Sequence, residues 1–473
     1  MKLLHLPVLA AICVAAPGIA SAVTISSAAQ LASALKAAKG GETFDLAPGN
    51  YGTLLIQSRR FSTPVTFRSI DPSKPAVFSG QSVVRDSSGV RFDAVSFHMP
   101  NPGSIKEAGK ALALYGSSNI SMSNVRAYGS LDGNPQNDGL GIYIQGSSGI
   151  TVSGSNFTEL HRGIGISRST GVVITGNMIH NVRSDGVVLA QSENVKISSN
   201  IIRDFMPVKG DHPDGIQLWT AGTNAPSKNI EISSNLIVGK LGAQMQGIFV
   251  TDQSGGKLPY SGITIKNNTV VGAAWHGITV HHTSNASVTG NTVVTIPGSN
   301  NTSWIMMRYV SGVMSGNTAK SLPVSDSPNL KQANNKTNTI SSSLAEQAIE
   351  AWYQANLATL PDPDTIAQSP IGSNDPTVNN GFNTPTPTPD DPVLLTNSAY
   401  KMVAIDDQSV QQNDAFSQTS QQLQQTTTGS NTGTNNVLSA VPEPETWVQL
   451  VAGFGMVGWL MRRSRSGTRA SVG

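Results

Sequence analysis

Between Gly139 and about Thr318 the chain repeats one pattern of apolar and polar positions. Each unit opens on a Gly, followed by a short run in which apolar residues alternate, such as Ile164 and Ile166. A polar turn, a second apolar run, an Asn and a third run complete the unit. Alternating apolar residues indicate strands, and a short period with insertions confined to turns is typical of a solenoid.

One Asn recurs at the same phase of six successive units. These residues are Asn177, Asn200, Asn235, Asn268, Asn291 and Asn317. The pattern predicts an all-β chain that forms a single-stranded right-handed parallel β-helix, with three short strands per coil and the Asn amides stacked in a ladder. A β-sandwich is the alternative, but it would not place Asn at one phase in six consecutive units.

Short helices are expected at both ends of a solenoid spanning residues 23–340, where they would cover exposed strand edges. At the N-terminal end, residues 26–39 have the spacing of a helix that ends at Gly40. At the C-terminal end, Leu344 to Leu360 reads as an amphipathic helix within the segment 341–360. We expect this second helix to close the C-terminal edge.

The first 22 residues are typical of a signal peptide. Lys2 precedes an apolar stretch, and Ala20-Ser21-Ala22 is a small-residue cleavage site, so the mature chain is expected to begin at Val23. The single cysteine, Cys13, lies inside this segment. The mature chain is therefore expected to be exported and to be stabilised without disulfides.

Composition agrees with an extracellular solenoid. Only 13% of residues are charged, and the formal net charge is +2. Nucleic acid would need a strongly basic face, so it is excluded as the expected partner.

The N-terminal region resembles that of a known family. Residues 26–31, 37–43, 46–51 and 65–69 are similar to the N-terminal cap and first coil of polysaccharide lyase family 6 and its β-helix relatives. The resemblance covers about the first sixty residues and implies a β-helix and an acidic polysaccharide as partner. The catalytic Asn-Lys-Ser-type signature of that family is absent, so the resemblance leaves the reaction open.

The motifs of two other families of sugar-active β-helices are matched only in part. Alginate epimerases carry Asp-Pro-His-Asp, whereas this chain has the same residue types in a different order at residues 211–214. Pectin hydrolases carry Gly-His-Gly and Arg-Ile-Lys; here only His276-Gly277 is similar, and Arg-Ile-Lys does not occur.

The C-terminal part changes in character. Residues 361–440 are rich in Pro, Thr, Gln and Ser and are expected to be a low-complexity linker. The segment 441–473 begins with Val-Pro-Glu-Pro, continues with an apolar stretch at 447–461 and ends in arginines. It resembles the Pro-Glu-Pro sorting signal (PEP-CTERM) of Gram-negative bacteria that the membrane protease exosortase processes. The resemblance implies the cell surface or extracellular matrix as location, with membrane anchoring by a helix at 447–461 before processing.

Stacked strands lie about 4.8 Å apart, so residues at one phase of successive coils should be neighbours. The position before the repeated Gly holds Arg162, Asp185, Asp214, Gln246 and His276. We expect Asp185 and Asp214 to lie roughly 5 Å apart. At that range one carboxyl would have a raised pKa and act as an acid beside a base, or a cation such as Ca²⁺ would lie between them.

The candidates follow from this column and from the outward positions beside it. The expected catalytic residues are Asp214, Asp185, Asp211, His212 and His276. The expected metal ligands are Asp185, Asp211 and Asp214. The expected substrate-binding residues are Arg162 for a sugar carboxylate, Trp219 for a sugar ring, and Gln217 and His281.

Each assignment has a structural alternative, because Asp before Gly is also ordinary turn chemistry.

Two functions remain open. The chain is either a lyase, epimerase or hydrolase acting on an acidic polysaccharide in an open groove, or a matrix protein that binds exopolysaccharide without catalysis. The cluster from Asp211 to Trp219 favours the enzyme, and the missing family signatures favour the binding protein.

Overall fold

The computed structural model describes residues 22–100, 109–134, 137–239, 245–299 and 301–356. Most of the predicted signal peptide, the linker 361–440 and the segment 441–473 lie outside these ranges. No helix within the described ranges is long and apolar enough to cross a membrane.

The described residues form short strands and two helices. The strands of the N-terminal half are β1 (Ala22–Ile25), β2 (Thr43–Leu46), β3 (Gly49–Asn50), β4 (Leu55–Gln57), β5 (Arg60–Ser69), β6 (Ala76–Ser79), β7 (Ser82–Arg85), β8 (Ser88–Asp93), β9 (Ser96–His98), β10 (Lys110–Tyr115), β11 (Ser118–Ser123), β12 (Arg126–Tyr128), β13 (Leu140–Gln145), β14 (Ser148–Ser153), β15 (Asn156–Leu160), β16 (Arg162–Ser167), β17 (Thr170–Thr175) and β18 (Met178–Val182).

The remaining strands are β19 (Val187–Ala190), β20 (Glu193–Ser198), β21 (Ile201–Arg203), β22 (Asp214–Trp219), β23 (Lys228–Ser233), β24 (Leu236–Val238), β25 (Gln246–Val250), β26 (Tyr260–Lys266), β27 (Thr269–Val271), β28 (His276–Thr289), β29 (Thr292–Val294), β30 (Trp304–Ser315), β31 (Thr318–Ala319), β32 (Val324–Ser325), β33 (Leu330–Ala333) and β34 (Lys336–Thr337). The helices are α1 (Ala28–Ala37) and α2 (Ser342–Asn356).

The strands stack in parallel on three faces of a β-helix, as the repeat predicts. The first stack includes β13, β16, β19, β22 and β25. The second includes β14, β17, β20, β23 and β26. The third includes β15, β18, β21, β24 and β27. Strands β28 and β30 are long enough to belong to both the first and the second stack.

The interior is filled by the alternate residues of each strand. A column of aliphatic side chains, each at most 1% exposed, runs through the first stack: Ile142, Ile164, Val187, Ile216, Ile248, Ile278 and Ile305. Near the N-terminus the ring of Phe67 packs edge-on against Phe44 and tilted against Phe92, at centroid distances of 5.3 and 5.2 Å. Burial of this apolar surface is the main stabilising contribution.

The predicted asparagine ladder is confirmed, and it extends to Asn335. Each side-chain Nδ2 donates to Oδ1 of the Asn in the next coil, at 2.9 to 3.1 Å. A serine ladder, which the sequence pattern did not reveal, lies at another corner. Its members are Ser87, Ser117, Ser147, Ser169, Ser192 and Ser227, and each hydroxyl accepts a backbone N–H of the preceding coil at 3.1 or 3.2 Å.

The coils differ in length only at their corners. Neighbouring ladder Asn are 23, 35, 33, 23, 26 and 18 residues apart along the chain. The two longest coils run from Asn200 to Asn268, and both keep their three strands in register. The extra residues are therefore corner loops, and one of them carries His212 toward the first stack.

Both predicted helices form. In α1 the Ser27 side chain accepts the N–H of Gln30, and Leu31 is buried in the core. Helix α2 was expected to close the C-terminal edge, but it packs against β27 and β29 of the third stack. Its Trp352 is 3% exposed and donates to the carbonyl of Ser234 at 3.0 Å. The third stack has apolar side chains there, so helix and sheet bury each other.

Candidate functional site

The outer surface of the first stack forms a shallow floor between aromatic side chains. One outward column runs through Tyr143, Gly165, Val188, Gln217 and Phe249. A second runs in parallel through Tyr115, Gln145, Ser167, Ala190 and Trp219. Small residues therefore lie in the middle and rings at both ends. We call this surface the platform.

Tyr143 defines one end of the platform. A β-carbon at Gly165 would lie 2.9 Å from a ring carbon of Tyr143, so the ring extends over the glycine toward the next coil. The Nζ of Lys110 lies 5.6 Å from the centroid of that ring. A cation and an aromatic face are thus adjacent, although neither residue was among the predicted site residues. Their common signal is their place on the outward side of the first stack.

The column before the repeated Gly borders the platform and carries its charges. Arg162 Nε donates to Asp185 Oδ2 at 2.6 Å, and Asp185 Oδ1 accepts the backbone N–H of Asp214 at 3.1 Å. Asp185 is 1% exposed and Asp214 is not exposed at all. The predicted column is present and its two acids are in adjacent coils, but they are buried beneath the surface rather than open to a groove.

Asp214 lies beside His212 at the centre of the site. Its Oδ2 is 3.4 Å from Nδ1 of His212, whose side chain is 39% exposed. Burial raises the pKa of Asp214 to about 6, and the charge of Asp185 adds to this, whereas His212 and Arg162 act in the opposite direction. The pair joins a buried carboxyl that titrates near neutrality to an imidazole that reaches the surface.

Gln246 completes the surroundings of His212. Its Nε2 lies 2.6 Å from Nε2 of His212. With the amide donating, His212 Nε2 accepts this bond and Nδ1 carries the proton that faces Asp214. The ring of Phe249 meets that of His212 edge-on at 6.0 Å. Gln246 aligns with Asp214 in the strand register, but its contact with His212 depends on the loop and could not be seen in the sequence.

Asp211 has a different role from the one expected. Arg183 donates Nε to its Oδ2 and one terminal nitrogen to its Oδ1, at 2.8 and 2.9 Å, and the N–H of Val208 also donates to Oδ2 at 2.9 Å. Arg183 is 7% exposed. This paired contact holds the loop that carries His212, and it engages both carboxylate oxygens of Asp211.

The three expected metal ligands do not come together. Asp211 is engaged by Arg183 and Asp185 by Arg162, which leaves Asp214 without an acidic partner open to a cation. Across the ranges that the structure describes, there is no group of three or more His, Cys, Asp or Glu that could hold a metal ion. The expectation of a Ca²⁺ site at Asp185, Asp211 and Asp214 is therefore corrected.

His276 and His281 lie farther along the first stack. The ring of Phe249 separates His276 from His212, at a centroid distance of 5.1 Å from His276. Nδ1 of His276 is 2.7 Å from Oγ1 of Thr279, and burial lowers its pKa to about 3. His281 lies 3.5 Å from the sulfur of Met306, and burial lowers its pKa to about 4. Both imidazoles are neutral near pH 7, and neither adjoins Asp214.

Trp219 and Gln217 differ in how much of their side chains is available. Trp219 is half-buried beside Ala190, at one end of the platform. Gln217 is 1% exposed, and its Oε1 is a buried atom without a hydrogen bond in the described structure. Arg162 keeps 15% of its side chain exposed. Of these three expected binding residues, Trp219 and Arg162 are therefore partly exposed at the platform, whereas Gln217 is covered although it belongs to one of the platform's columns.

Comparisons with known proteins identify the type of fold. Residues 110–293 match the family model described as a right handed beta helix region. No curated protein matches the sequence.

Three solved structures illustrate the likeness. A surface adhesin of Streptococcus pneumoniae, PfbA, is 13% identical, with 66% of this chain and 87% of that chain covered and a TM-score of 0.45. The alginate lyase from Paenibacillus sp. str. FPU-7 is 16% identical, with 67% and 99% covered and a TM-score of 0.36. A mannuronic acid specific family 6 lyase from human gut microbiota is 10% identical, with 73% and 98% covered and a TM-score of 0.41. Each likeness concerns the fold.

Proposed function

We propose that this chain is an exported, polysaccharide-active β-helix protein that binds an acidic polysaccharide along the platform and transfers a proton through His212. The observation that carries the proposal is the pair formed by Asp214 and His212. A fully buried carboxyl lies 3.4 Å from one ring nitrogen of an imidazole that is 39% exposed beside an aromatic-bounded floor. A carboxyl that orients an imidazole in this way sets its tautomer and raises its basicity.

The arrangement favours proton abstraction over glycoside hydrolysis. Hydrolysis commonly uses two carboxyl groups that both face the glycosidic bond. Here Asp185 is 1% exposed and paired with Arg162, and Asp214 is not exposed, so neither can approach a sugar directly. Of the groups that surround Asp214, His212 has a side chain that reaches the surface. Elimination and epimerisation of a uronic acid both begin with removal of the proton next to the carboxylate, which is the step that a single base can perform.

An acidic polymer fits the charges beside the platform. Arg162 lies one coil before Asp185, and Lys110, beside Tyr143, lies two coils before Arg162 in the same column. A guanidinium next to a uronate carboxylate would stabilise the negative charge that develops when the neighbouring proton is removed. Trp219 offers a ring on which a sugar can stack. The substrate would displace the Gln246 amide from Nε2 of His212 to reach the base.

The ends of the sequence support a place outside the cell. The predicted signal peptide would export the chain, and the C-terminal Pro-Glu-Pro segment would direct it to exosortase. Before processing, the apolar stretch at 447–461 would anchor it in the membrane. The N-terminal resemblance to polysaccharide lyase family 6 agrees with a polysaccharide partner. These resemblances bear on location and substrate class, and not on which residue reacts.

A non-catalytic matrix or surface protein that binds exopolysaccharide is the second candidate. The observation that favours it is the 2.6 Å contact between Gln246 Nε2 and His212 Nε2, because it occupies the nitrogen that a base would need. In this case the platform and its aromatic borders would hold the polymer, and the buried Asp214 would serve only to fix the loop.

The test incubates the purified exported chain with a panel of uronic-acid polymers. Elimination would appear as ultraviolet absorbance from the new double bond, and epimerisation as deuterium uptake from heavy water at the carbon next to the carboxylate. New reducing ends without either signal would show hydrolysis and contradict the assignment to His212. Binding without any of these signals would support the matrix protein.

A further inference from the structure

The second column of the platform leads from Trp219 toward the N-terminal coils and meets a guanidinium at its edge. Going back along the chain, the column continues from Trp219 to Ala190 and Ser167, and all three side chains are half-buried. Arg168 follows Ser167 at the corner between the first and second stacks, and its side chain is exposed. Two coils separate Arg168 from Trp219, which is about 10 Å at the spacing of stacked strands. A floor of small side chains therefore lies between a ring and a cation.

Arg168 is a cation without an anionic partner in the protein. Within the ranges that the structure describes, its guanidinium forms neither an ion pair nor a hydrogen bond. The acid of the next coil, Glu193, lies 3.9 Å from Nζ of Lys228 instead. Farther toward the C-terminal end of the same stack, Arg308 is paired with Asp326 at 3.3 Å. Arg168 can therefore receive a carboxylate without first breaking an ion pair.

The phenol of Tyr143 reaches the same region from the preceding coil. Tyr143 pairs in register with Gly165, and because Gly165 has no side chain, the ring extends across it toward the coil of Arg168. Burial and the neighbouring Tyr115 raise the pKa of Tyr143, and the charges of Arg168 and Arg162 act in the opposite direction. These effects require both guanidinium groups to lie within electrostatic reach of the phenol. A hydroxyl donor and two cations are therefore grouped over one coil.

We propose that Arg168 and the Tyr143 hydroxyl form a subsite that binds one carboxylate of an acidic polysaccharide, so that the polymer extends from His212 toward the N-terminal coils. The class of polymer rests on the proposed function, whereas the position of the subsite rests on the exposed cation and the open floor. One sugar unit of a linear polymer is about as long as one coil is high. A chain with one unit at Trp219 therefore brings the second unit after it to Arg168, where a guanidinium can pair with its carboxylate.

The test measures binding of short oligogalacturonates and oligomannuronates by calorimetry, using the full exported chain with His212→Gln in every sample so that the probe is not consumed. Their carboxyl-reduced, neutral counterparts of equal length are tested in parallel. Arg168→Gln removes the charge, and the fold is retained because Gln191 occupies the same corner of the next coil with a φ of 48°, close to the 50° of Arg168. Tyr143→Phe removes the hydroxyl and keeps the ring. The matched control is Arg91→Gln, which replaces another exposed arginine, on the outer side of the second stack.

We expect Arg168→Gln to weaken binding of the acidic oligomers roughly two- to fivefold and to leave binding of the neutral ones unchanged. Tyr143→Phe should also weaken acidic binding, and Arg91→Gln should not. The inference is overturned if the Arg168→Gln chain, with its unfolding midpoint intact, binds the acidic oligomers as tightly as its parent. An equal loss from Arg91→Gln also overturns it, because it would show a general attraction by surface charge. Unchanged binding by Tyr143→Phe overturns the role of Tyr143.

Failure of the proposed function gives a different result. If the parent binds no oligouronide, the acidic partner and the subsite are both contradicted. If the parent binds oligouronides and Arg168→Gln binds them equally well, the subsite alone is contradicted. Weakened binding by Arg168→Gln, without turnover by the chain that retains His212, supports the subsite and contradicts the catalytic step alone.

Discussion

Oδ2 of Asp214 lies 3.4 Å from Nδ1 of His212, and this contact links a fully buried acid to a half-exposed imidazole beside the platform. The acid cannot reach a substrate, but it can hold the ring in one orientation and stabilise its charged form. The loop that makes the contact is itself fixed by Arg183 and Asp211. In the proposed function, His212 is therefore the group that acts, and the buried acids and Arg183 position it.

His212→Gln is expected to lower turnover of the polymer roughly 10²- to 10⁴-fold, because the variant removes the base and keeps a polar side chain of similar size. Rates are measured with saturating polymer, and unfolding midpoints are compared to confirm the fold. His180→Gln, on the third stack where the imidazole contacts Asn156 at 3.2 Å, is the control. Equal losses in the two variants would contradict the assignment.

Asp214→Asn is expected to change how stability depends on pH. The pKa of Asp214 in the folded chain is raised to about 6 from 3.8. The stabilisation that the protonated carboxyl gives to the fold is therefore full below about pH 4 and is lost as pH rises through 6. The difference corresponds to about 3 kcal/mol of unfolding free energy. The stability of wild type relative to Asp214→Asn should therefore fall between pH 4 and 7.

The comparison with the variant is needed because buried histidines also change the stability of the fold over this pH range, and their effect on stability has the opposite sign. Burial lowers the pKa of His161 and His276 to about 3, so they stabilise the fold as pH rises. These contributions cancel when wild type and Asp214→Asn are compared by denaturant unfolding at each pH. A difference that stays flat across this window would show that Asp214 does not titrate there.

Trp219→Ala is expected to raise KM for the polymer roughly three- to tenfold with little change in kcat, since the ring binds a sugar away from the reacting carbon. Trp219→Phe should restore most of the affinity because it keeps an aromatic face. Steady-state kinetics on all three chains provide the measurement. A fall in kcat at unchanged KM would place Trp219 in the reaction itself.

Asn235→Ala is expected to destabilise the fold by about 2–4 kcal/mol, because it removes two donated bonds and takes the Asn235 acceptor away from the backbone N–H and one Nδ2 hydrogen of Asn200. Asn335→Ala, at the half-buried end of the ladder, is the matched control and should cost clearly less. Chemical denaturation gives both values. Equal destabilisation by the two substitutions would mean that the ladder stabilises the fold through side-chain packing and not through its buried amide hydrogen bonds.

The fold could be predicted in detail because each coil repeats the same residue pattern along the sequence. An Asn at a constant phase of each coil is compatible with few folds besides a β-helix, and the ladder follows directly from it. The serine ladder was missed since serine is frequent throughout this chain, so its phase does not stand out. The position of α2 was also missed, because an amphipathic helix does not reveal which apolar surface it will cover.

The site could be predicted only in part. Strand register pairs Asp214 with Gln246, a hydrogen bond from the Asp214 N–H joins Asp185 to the same column, and the sequence predicted that column. The burial of Asp214 depends on how the loop with His212 folds back and on the pairing of Asp211 with Arg183, two residues 28 apart in the chain. No local pattern carries that information, so the imidazole at the surface and the pairing of Asp211 with Arg183 are evident only in three dimensions.

The long coils between Asn200 and Asn268 have a consequence for how such a protein can diversify. Because their additional residues emerge at corners, the loops can be lengthened, shortened or exchanged while the rungs keep a constant pitch. Recognition of a different glycan would then require new corner loops beside an unchanged stack of strands. Mutational libraries confined to these corners should yield altered ligand preference far more often than loss of folding.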